Sequence, residues 1–307
     1  MKSNNSIAIF GANGFIGKNL TYKLSNNYKL SLLSRNFDER FFSQIRNVDF
    51  FKSDFANSNV IKEIISNCNT AILSLKNHDT RTDEGISDLV KDDILPFAQF
   101  FDIIKNSNHK LKKIILLSSG GTIYGGEFIR PFKEDDPQNP VGFYASSRAF
   151  MENILLSFAK KYKIKSVILR VSNPYGPWQV RQGVVNQIFK SLLLDREFNV
   201  IGNIKNTRDY IFIDDLIQAI SKVIELDIEG ILNIGTEHGN NIMNLIKIAE
   251  RITNKKIRKK CSKSHELEIS SNIISIEKAK RLLNWKPETS LVEGMEKSYK
   301  FYKDYYL

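Results

Sequence analysis

Cysteine is almost missing from this 307-residue chain: Cys68 and Cys261 stand far apart, and neither belongs to a C-x-x-C pattern. No disulfide framework is expected. Histidine is as scarce, and His78, His109, His238 and His265 show neither an i,i+4 pair nor a cluster, so no metal site is expected either. No apolar run approaches the roughly 18 to 20 residues that span a bilayer, and the N-terminus enters a strand pattern without a signal-peptide layout. This reads as a cytoplasmic chain with no membrane partner. Internal repeats and low-complexity linkers are absent too. What remains is an ordinary globular composition, 42% hydrophobic, long enough to bury a sizeable core.

Negative charge is in deficit. The chain carries 45 Lys and Arg against 34 Asp and Glu, a formal +11, partly concentrated in KKIRKKCSK at Lys255 to Lys263. That run has no interleaved aromatics, so a solvated face is favoured over a nucleic-acid site. The overall excess also suits anionic small molecules such as nucleoside diphosphates.

The stretch from Ser6 to Lys18, SIAIFGANGFIGK, organises the rest. Ile7 to Phe10 form an apolar strand that ends at Gly11. Gly14, Gly17 and a helical pattern through Leu20 and Leu24 come next. In this G-x-x-G-x-x-G spacing one glycine turns the chain, one admits a pyrophosphate to the backbone, and one lets the helix pack on the strand. The helix N-terminus then faces an anion. Strands are expected at Tyr28–Leu33, Val48–Phe51, Thr70–Leu75, Leu111–Leu117 and Ile164–Val171. Helices are expected at Asp88–Lys105, kinked by Pro96, and at Phe143–Tyr162. Alternating strands and helices predict βαβ units and a parallel sheet covered on both faces: an α/β, Rossmann-type doubly wound fold. After Val171 the alternation loosens into a smaller, mostly helical part. The expected division is a dinucleotide-binding domain over 1–172, with a return strand near 231–235, and a substrate domain over 173–307. Loops 11–17, 35, 75–87, 118–126 and 172–181 leave the carboxyl ends of strands and are expected to converge on one cleft.

Two further stretches carry chemistry. SSGGTIYG at 118–125 closes the fifth strand, and Tyr144-Ala145-Ser146-Ser147-Arg148 opens the next helix. Tyr144 and Arg148 lie four apart on one helix face, where a cation favours the phenolate. That is how a tyrosine becomes a usable proton donor or acceptor near neutrality. On those two residues alone, an exposed tyrosine beside a solvated arginine is the simpler reading.

These motifs together resemble the extended short-chain dehydrogenase/reductases, in the NAD(P)-dependent nucleotide-sugar epimerase/dehydratase group that includes UDP-glucose 4-epimerase. The likeness runs nearly end to end, through GANGFIG, Asp54 after the third strand, SSGGTIYG, the tyrosine helix, LRVSNPYGPWQ (169–179), RDYIFIDD (208–215), LNIGT (232–236) and LNWKPETSLVEGM (283–295). The resemblance implies a cofactor site at Gly11, Asn13, Gly14, Phe15, Ile16, Gly17, Ser34, Arg35, Asp54, Phe55, Leu75, Tyr144 and Arg148. It implies substrate contacts from Thr122, Tyr124, Asn173 and Arg208, the last through a phosphate. It also implies a homodimer formed through the 88–105 and 143–162 helices.

The departures from the family pattern bear on mechanism. Arg148 stands where the family has lysine, and the two are not equivalent in shape or hydrogen bonding. The usual Ser or Thr partner of the tyrosine falls on Gly120, so a hydroxyl must come from Thr122 or Ser119. The acidic pair of the dehydratases is replaced by Gly121 and Thr122, which disfavours a 4,6-dehydratase. At the end of the second strand Ser34-Arg35 replaces the carboxylate that accepts from a ribose 2′-OH, which favours NADP(H) over NAD. The expected reaction is reduction of a nucleotide-linked 4-keto-6-deoxyhexose, with Tyr144 as proton donor and Thr122, Ser119 and Arg148 assisting. A UDP-hexose 4-epimerase using NAD is the alternative, and a non-catalytic dinucleotide-binding sensor or scaffold is the alternative from another class. Asp214-Asp215 read as a helix N-cap, Glu134-Asp135-Asp136 as a solvated loop lip, and Phe150, Ile154, Phe158 and Tyr162 as core or dimer face.

Overall fold

A computed structural model describes residues 6–75, 85–126, 130–262 and 269–307. The loop expected at 75–87 therefore lies mostly outside the described residues. From the N-terminus the chain forms β1 (Ser6–Phe10), α1 (Phe15–Leu24), β2 (Lys29–Ser34), α2 (Glu39–Phe42), β3 (Val48–Lys52), α3 (Ser58–Asn67) and β4 (Thr70–Leu73). Next come α4 (Ile86–Leu89), α5 (Leu95–Lys105), β5 (Lys113–Ser119), α6 (Phe143–Tyr162), β6 (Lys165–Val171), β7 (Asn173–Tyr175) and α7 (Val184–Leu193). The remainder is β8 (Phe198–Ile201), β9 (Thr207–Phe212), α8 (Ile213–Glu225), β10 (Gly230–Ile234), β11 (Gly239–Asn241), α9 (Ile242–Thr253), β12 (Lys259–Ser262), β13 (Ser271–Asn272), α10 (Glu277–Leu283) and α11 (Leu291–Tyr306).

Contacts divide the chain into two compact units. Residues 1–119, 142–170 and 220–232 form the first, and 120–141, 171–219 and 233–307 form the second. Sequence order suggests one boundary at 172, but the loop after β5 groups with the C-terminal residues. The segment that carries β10 back to the sheet groups with the N-terminal ones.

In the first unit, seven strands form a parallel sheet in the order β10-β6-β5-β4-β1-β2-β3. This is the doubly wound order, and it reverses direction between β1 and β4. Strands β1, β4 and β5 are buried along nearly their whole length, which is why they read as continuous apolar runs rather than alternating ones. Phe10, Phe55 and Phe100 interlock against the sheet, with ring centroids 5.2 to 5.4 Å apart. At the opposite end of the polarity scale, the buried Lys113 ammonium donates to the carbonyls of Val223 and Leu226 at 2.8 and 2.6 Å. It satisfies the last carbonyls of α8, where a cation is favoured.

The expected kink at Pro96 is realised as an insertion. Between α4 and α5, Val90–Ile94 form a π-helical turn. Proline at the start of α5 has no N–H to return to the carbonyl four residues back, and its ring crowds that carbonyl, so the helix widens by one residue just before it.

The second unit is less helical than the sequence suggested. β9 pairs with β7, β11 and β13, and β12 pairs with β8. These strands have two to six residues, too short for period-2 alternation to be seen. The aromatic tail forms α11, where Tyr302 is fully buried and donates to the Gly176 carbonyl at 2.9 Å. Asp215 does not cap its own helix: its carboxylate accepts from the backbone N–H groups of Glu288 and Thr289 at 3.0 and 3.1 Å. Glu134 is likewise no solvated lip, since it accepts from the backbone N–H of Asn233 at 2.8 Å. No helix among the described residues is long and apolar enough to cross a membrane.

Candidate active site

At the end of β1 the first unit shapes its backbone around three glycines. Gly11 has φ +85°, and a Cβ there would run into the Ser74 carbonyl oxygen at the end of β4. A Cβ on Gly17 would meet the Gly11 carbonyl oxygen and, at 2.8 Å, the Cα and carbonyl oxygen of Ala12. Gly17 thus brings α1 onto the turn itself. Gly14 differs: its φ of −70° is ordinary, and a Cβ would touch only the Gly11 oxygen at 3.1 Å. It faces open space at the N-terminus of α1, which has no side-chain cap and no acid in its first turn. An uncapped helix start on a glycine turn, at the switch point of a doubly wound sheet, fits the pyrophosphate of a nicotinamide dinucleotide.

The end of β2 lies against this turn. Leu33 accepts from the backbone N–H groups of Gly11 and Ala12 at 3.0 and 3.1 Å, which ties the glycine turn to this strand. Ser34 is half-buried there and Arg35 is exposed. Asn13 turns its side chain towards the β2–α2 connection, where its Oδ1 accepts from the Asp38 N–H at 3.1 Å. Asp38 and Lys18 were not assigned to the site from sequence, and they prove to be part of its frame. The buried Lys18 ammonium bonds the Asp38 carboxylate at 2.7 Å, and Arg40 lies 3.5 Å from its other oxygen. Burial raises the carboxyl's pKa, but the Lys18 bond and the two cations outweigh it and leave it below the usual range. The pair is twenty residues apart in sequence, so helical spacing could not reveal it.

Asp54 is exposed and turns its Oδ1 back to the Ala56 N–H at 2.8 Å. Phe55 is a correction: its ring belongs to the core with Phe10 and Phe100, so only its backbone is left for a cofactor. Leu75 sits beside Gly11, with its methyl carbon 3.6 Å from the position a Cβ would take, and Phe15 and Ile16 are half-exposed at the start of α1.

On α6 the Tyr144 and Arg148 pair has the expected helical register. The Arg148 guanidinium lies 5.0 Å from the centre of the Tyr144 ring, an arrangement of cation over ring rather than a bond to the phenol oxygen. Arg148 is 2% exposed, not solvated. Ser119, at the end of β5, is half-buried in the same unit.

In the second unit, Thr122 is half-buried beside Gly121, and a Cβ on Gly121 would stand 3.6 Å from the Asn173 amide. Asn173 is fixed by donating to the Asp209 carbonyl at 3.0 Å. Asp209 itself is buried, and burial pushes its pKa up to about 6 despite bonds from the hydroxyl and N–H of Thr236 and the N–H of Glu237. Arg208 spends donors on the carbonyls of Thr207 and Ile269, at 2.9 and 2.6 Å, so its orientation is set by backbone. Tyr124 is the second correction. Expected to touch substrate, it is 2% exposed, stacks on Phe132 at 5.0 Å and donates to Asn233 at 2.7 Å. Its hydrogen-bond acceptor lies 109 residues along the chain and leaves no local signal. Among the described residues no cluster of His, Cys, Asp or Glu could hold a metal ion.

The model of the NAD dependent epimerase/dehydratase family matches residues 7–235. The chain is 36% identical over 190 residues to dTDP-4-dehydro-6-deoxyglucose reductase of Escherichia coli, covering 61% of this chain and 60% of that protein. It is 27% identical over 272 residues to dTDP-D-glucose 4,6-dehydratase of Dictyostelium discoideum, covering 81% of this chain and 61% of that one. The chain thus spans about three fifths of the length of these two relatives. The solved UDP-glucuronic acid 4-epimerase of Bacillus cereus, in complex with UDP-glucuronic acid and NAD, superposes with a TM-score of 0.91 at 25% identity, covering 98% of this chain and all of that one.

Proposed function

Because the chain belongs to the NAD dependent epimerase/dehydratase family, we propose that it reduces the C4 ketone of a nucleotide-linked 4-keto-6-deoxyhexose, with NADP(H) as cofactor. The observation that carries this reading is the end of β2. Ser34 and Arg35 offer a hydroxyl and a guanidinium to a 2′-phosphate, while the carboxylate of that connection, Asp38, is already engaged by Lys18 at 2.7 Å. A free carboxylate there would instead accept from a 2′-OH and repel the phosphate. The likeness to a 4-keto sugar reductase supports the same choice.

In this reading Gly11, Gly14 and Gly17 receive the pyrophosphate, and Asp54 and Leu75 lie along the cofactor. When bound, the reduced nicotinamide supplies the hydride equivalent that converts the ketone to an alcohol. Tyr144 gives its phenolic proton to the developing alkoxide, Thr122 or Ser119 polarises the same oxygen, and Arg148 orients the ribose and supports Tyr144. Asn173 and Arg208 hold the sugar nucleotide. Two copies of the chain are proposed to pair through α6 and the 86–105 helices, whose surfaces leave Ile86, Val90, Leu95, Phe143 and Phe150 exposed. Sedimentation equilibrium tests this, and a monomer at micromolar concentration contradicts it.

The second reading is an NAD-dependent UDP-hexose 4-epimerase, favoured by the likeness to solved 4-epimerases. An epimerase returns its hydride and needs no added cofactor, whereas a reductase consumes NADPH stoichiometrically. The deciding experiment is a fluorescence titration with NADPH and NADH, after checking the purified protein for retained cofactor. NADPH should bind at least about tenfold more tightly, since a charge-assisted bond contributes about 1.5–3 kcal/mol, and Arg35→Asp should abolish the preference. Retained NAD with no preference for NADPH would instead direct the assay to UDP-hexose epimerisation.

A further inference from the structure

The buried stripe of the 86–105 helix contains one residue that does not belong there by chemistry. Leu89, Phe97, Phe101 and Ile104 are buried at helical spacing, and the position between the first two is Asp93, 4% exposed. Its place is set by the π-helical turn at Val90–Ile94, which widens the helix before Pro96 and shifts the phase of the residues C-terminal to it. Single π turns of this kind concentrate at functional sites. A lone carboxylate in such a stripe is costly unless a charge meets it. The charge that meets it is Arg148: Nη2 lies 3.8 Å from Asp93 Oδ2, with both side chains no more than 2% exposed. The pair is incomplete. Asp93 Oδ2 and the Nε and Nη2 of Arg148 have no hydrogen-bond partner among the described residues. The buried acid of α6 itself, Glu152, is taken by Arg170 at 2.8 Å and by Ser118, which leaves Asp93 as the counter-charge of Arg148.

We propose that Asp93 is a positioning residue that acts through Arg148: the two form a matched buried pair that holds the guanidinium against the Tyr144 ring and keeps its remaining donors aimed at a ligand hydroxyl. It rests on the reading of Tyr144 as proton donor. The arginine is then no simple stand-in for lysine. Its longer planar head needs a fixed anion on one side, and the π turn supplies it by bringing a carboxylate into an apolar stripe. The two orphaned donors and the orphaned acceptor mark where a bound ribose or sugar hydroxyl completes the network, accepting from Arg148 and donating to Asp93.

A double-mutant cycle tests this on the full chain, with Asp93→Asn, Arg148→Lys and the two combined. NADPH affinity, kcat and KM on a 4-keto sugar nucleotide, and thermal midpoint are read for each. Each single change should lower kcat by about 10- to 100-fold, as loss of an orienting partner typically does, with KM for the sugar nucleotide within about twofold. The double variant should lose no more than the worse single one, because both changes act on the same interaction, one by removing the anion and the other by removing the planar fork. Asp93→Glu, which keeps the charge, should recover part of the loss. Folded Asp93→Asn with unchanged kcat, or single losses that multiply in the double variant, would overturn the proposal. If Asp93→Asn alone does not fold, the charge-keeping Asp93→Glu and the double variant carry the same comparison. Tyr144→Phe separates the two levels. Should it retain full turnover, the assignment of Tyr144 fails, while the coupling of Asp93 to Arg148 is still decided by the cycle in thermal midpoint and NADPH affinity.

Discussion

Replacing Tyr144 by phenylalanine lowers turnover by about two to four orders of magnitude, the usual contribution of a positioned proton donor, and leaves NADPH affinity within about twofold. The ring of residue 144 remains, so its packing with the Arg148 guanidinium at 5.0 Å is kept and the variant folds. Only the phenolic hydroxyl is removed. On the reduction reading the ketone oxygen then takes its proton from water or from the Thr122 or Ser119 hydroxyl, at a much higher barrier. Stopped-flow oxidation of NADPH measures this directly. A variant with wild-type turnover would remove Tyr144 from the chemistry, whereas cofactor binding with no turnover in the unaltered protein would favour a dinucleotide-binding sensor or scaffold over an enzyme.

The glycine turn offers a second large effect, and two of its members should fail in different ways. Gly17→Ala places a methyl against the backbone of Gly11 and Ala12, none of which is a flexible side-chain end. The helix α1 must move off the turn, at a cost of about 1–3 kcal/mol in stability and about tenfold or more in cofactor affinity. Gly14→Ala meets only one oxygen, at 3.1 Å, with an ordinary φ. Its stability should fall by about 1 kcal/mol or less, the usual penalty for alanine at an N-cap, while affinity falls as far, because the new methyl occupies the face left for the pyrophosphate. Urea unfolding and NADPH titration of the two variants check the contrast. Equal stability losses, or wild-type affinity in Gly14→Ala, would contradict it.

Two of the carboxylates in the first unit that meet a cation bear on the proposed site: Asp38, met by Lys18 on α1, and Asp93, met by Arg148 on α6. On the proposed reading each pairing matters to the site: an engaged Asp38 leaves room for a 2′-phosphate, and a compensated Arg148 can be buried beside Tyr144.

The sequence by itself determined the first unit's architecture and the identity of its turn. Apolar runs of four to seven residues, glycines at three-residue spacing and helices with 3.6-residue periodicity are local signals, and β1, β5 and α6 appear within two residues of where they are expected. Helix α6 begins and ends at the expected residues, Phe143 and Tyr162. Tyr144 and Arg148, four apart on one helix, needed no tertiary information to be paired.

Tertiary structure alone decided which polar groups were already spoken for. Tyr124 is the clearest case: Asn233, 109 residues later, takes its hydroxyl while Phe132 stacks on its ring. Arg208 is oriented by the Ile269 carbonyl and Asp215 by the backbone at Glu288 and Thr289, far outside any sequence window. The short strands of the second unit exist because β9 holds them together, not because two or three residues can carry a pattern. Asp93 shows the limit most plainly. In sequence it is one acid in a helix, indistinguishable from its neighbour Asp92; a π turn decides which of the two faces the core, and Arg148, 55 residues later, is the charge that meets it there. Periodicity records which face a residue takes within its own element, whereas the partner that meets it there belongs to another element and leaves no trace in the local pattern.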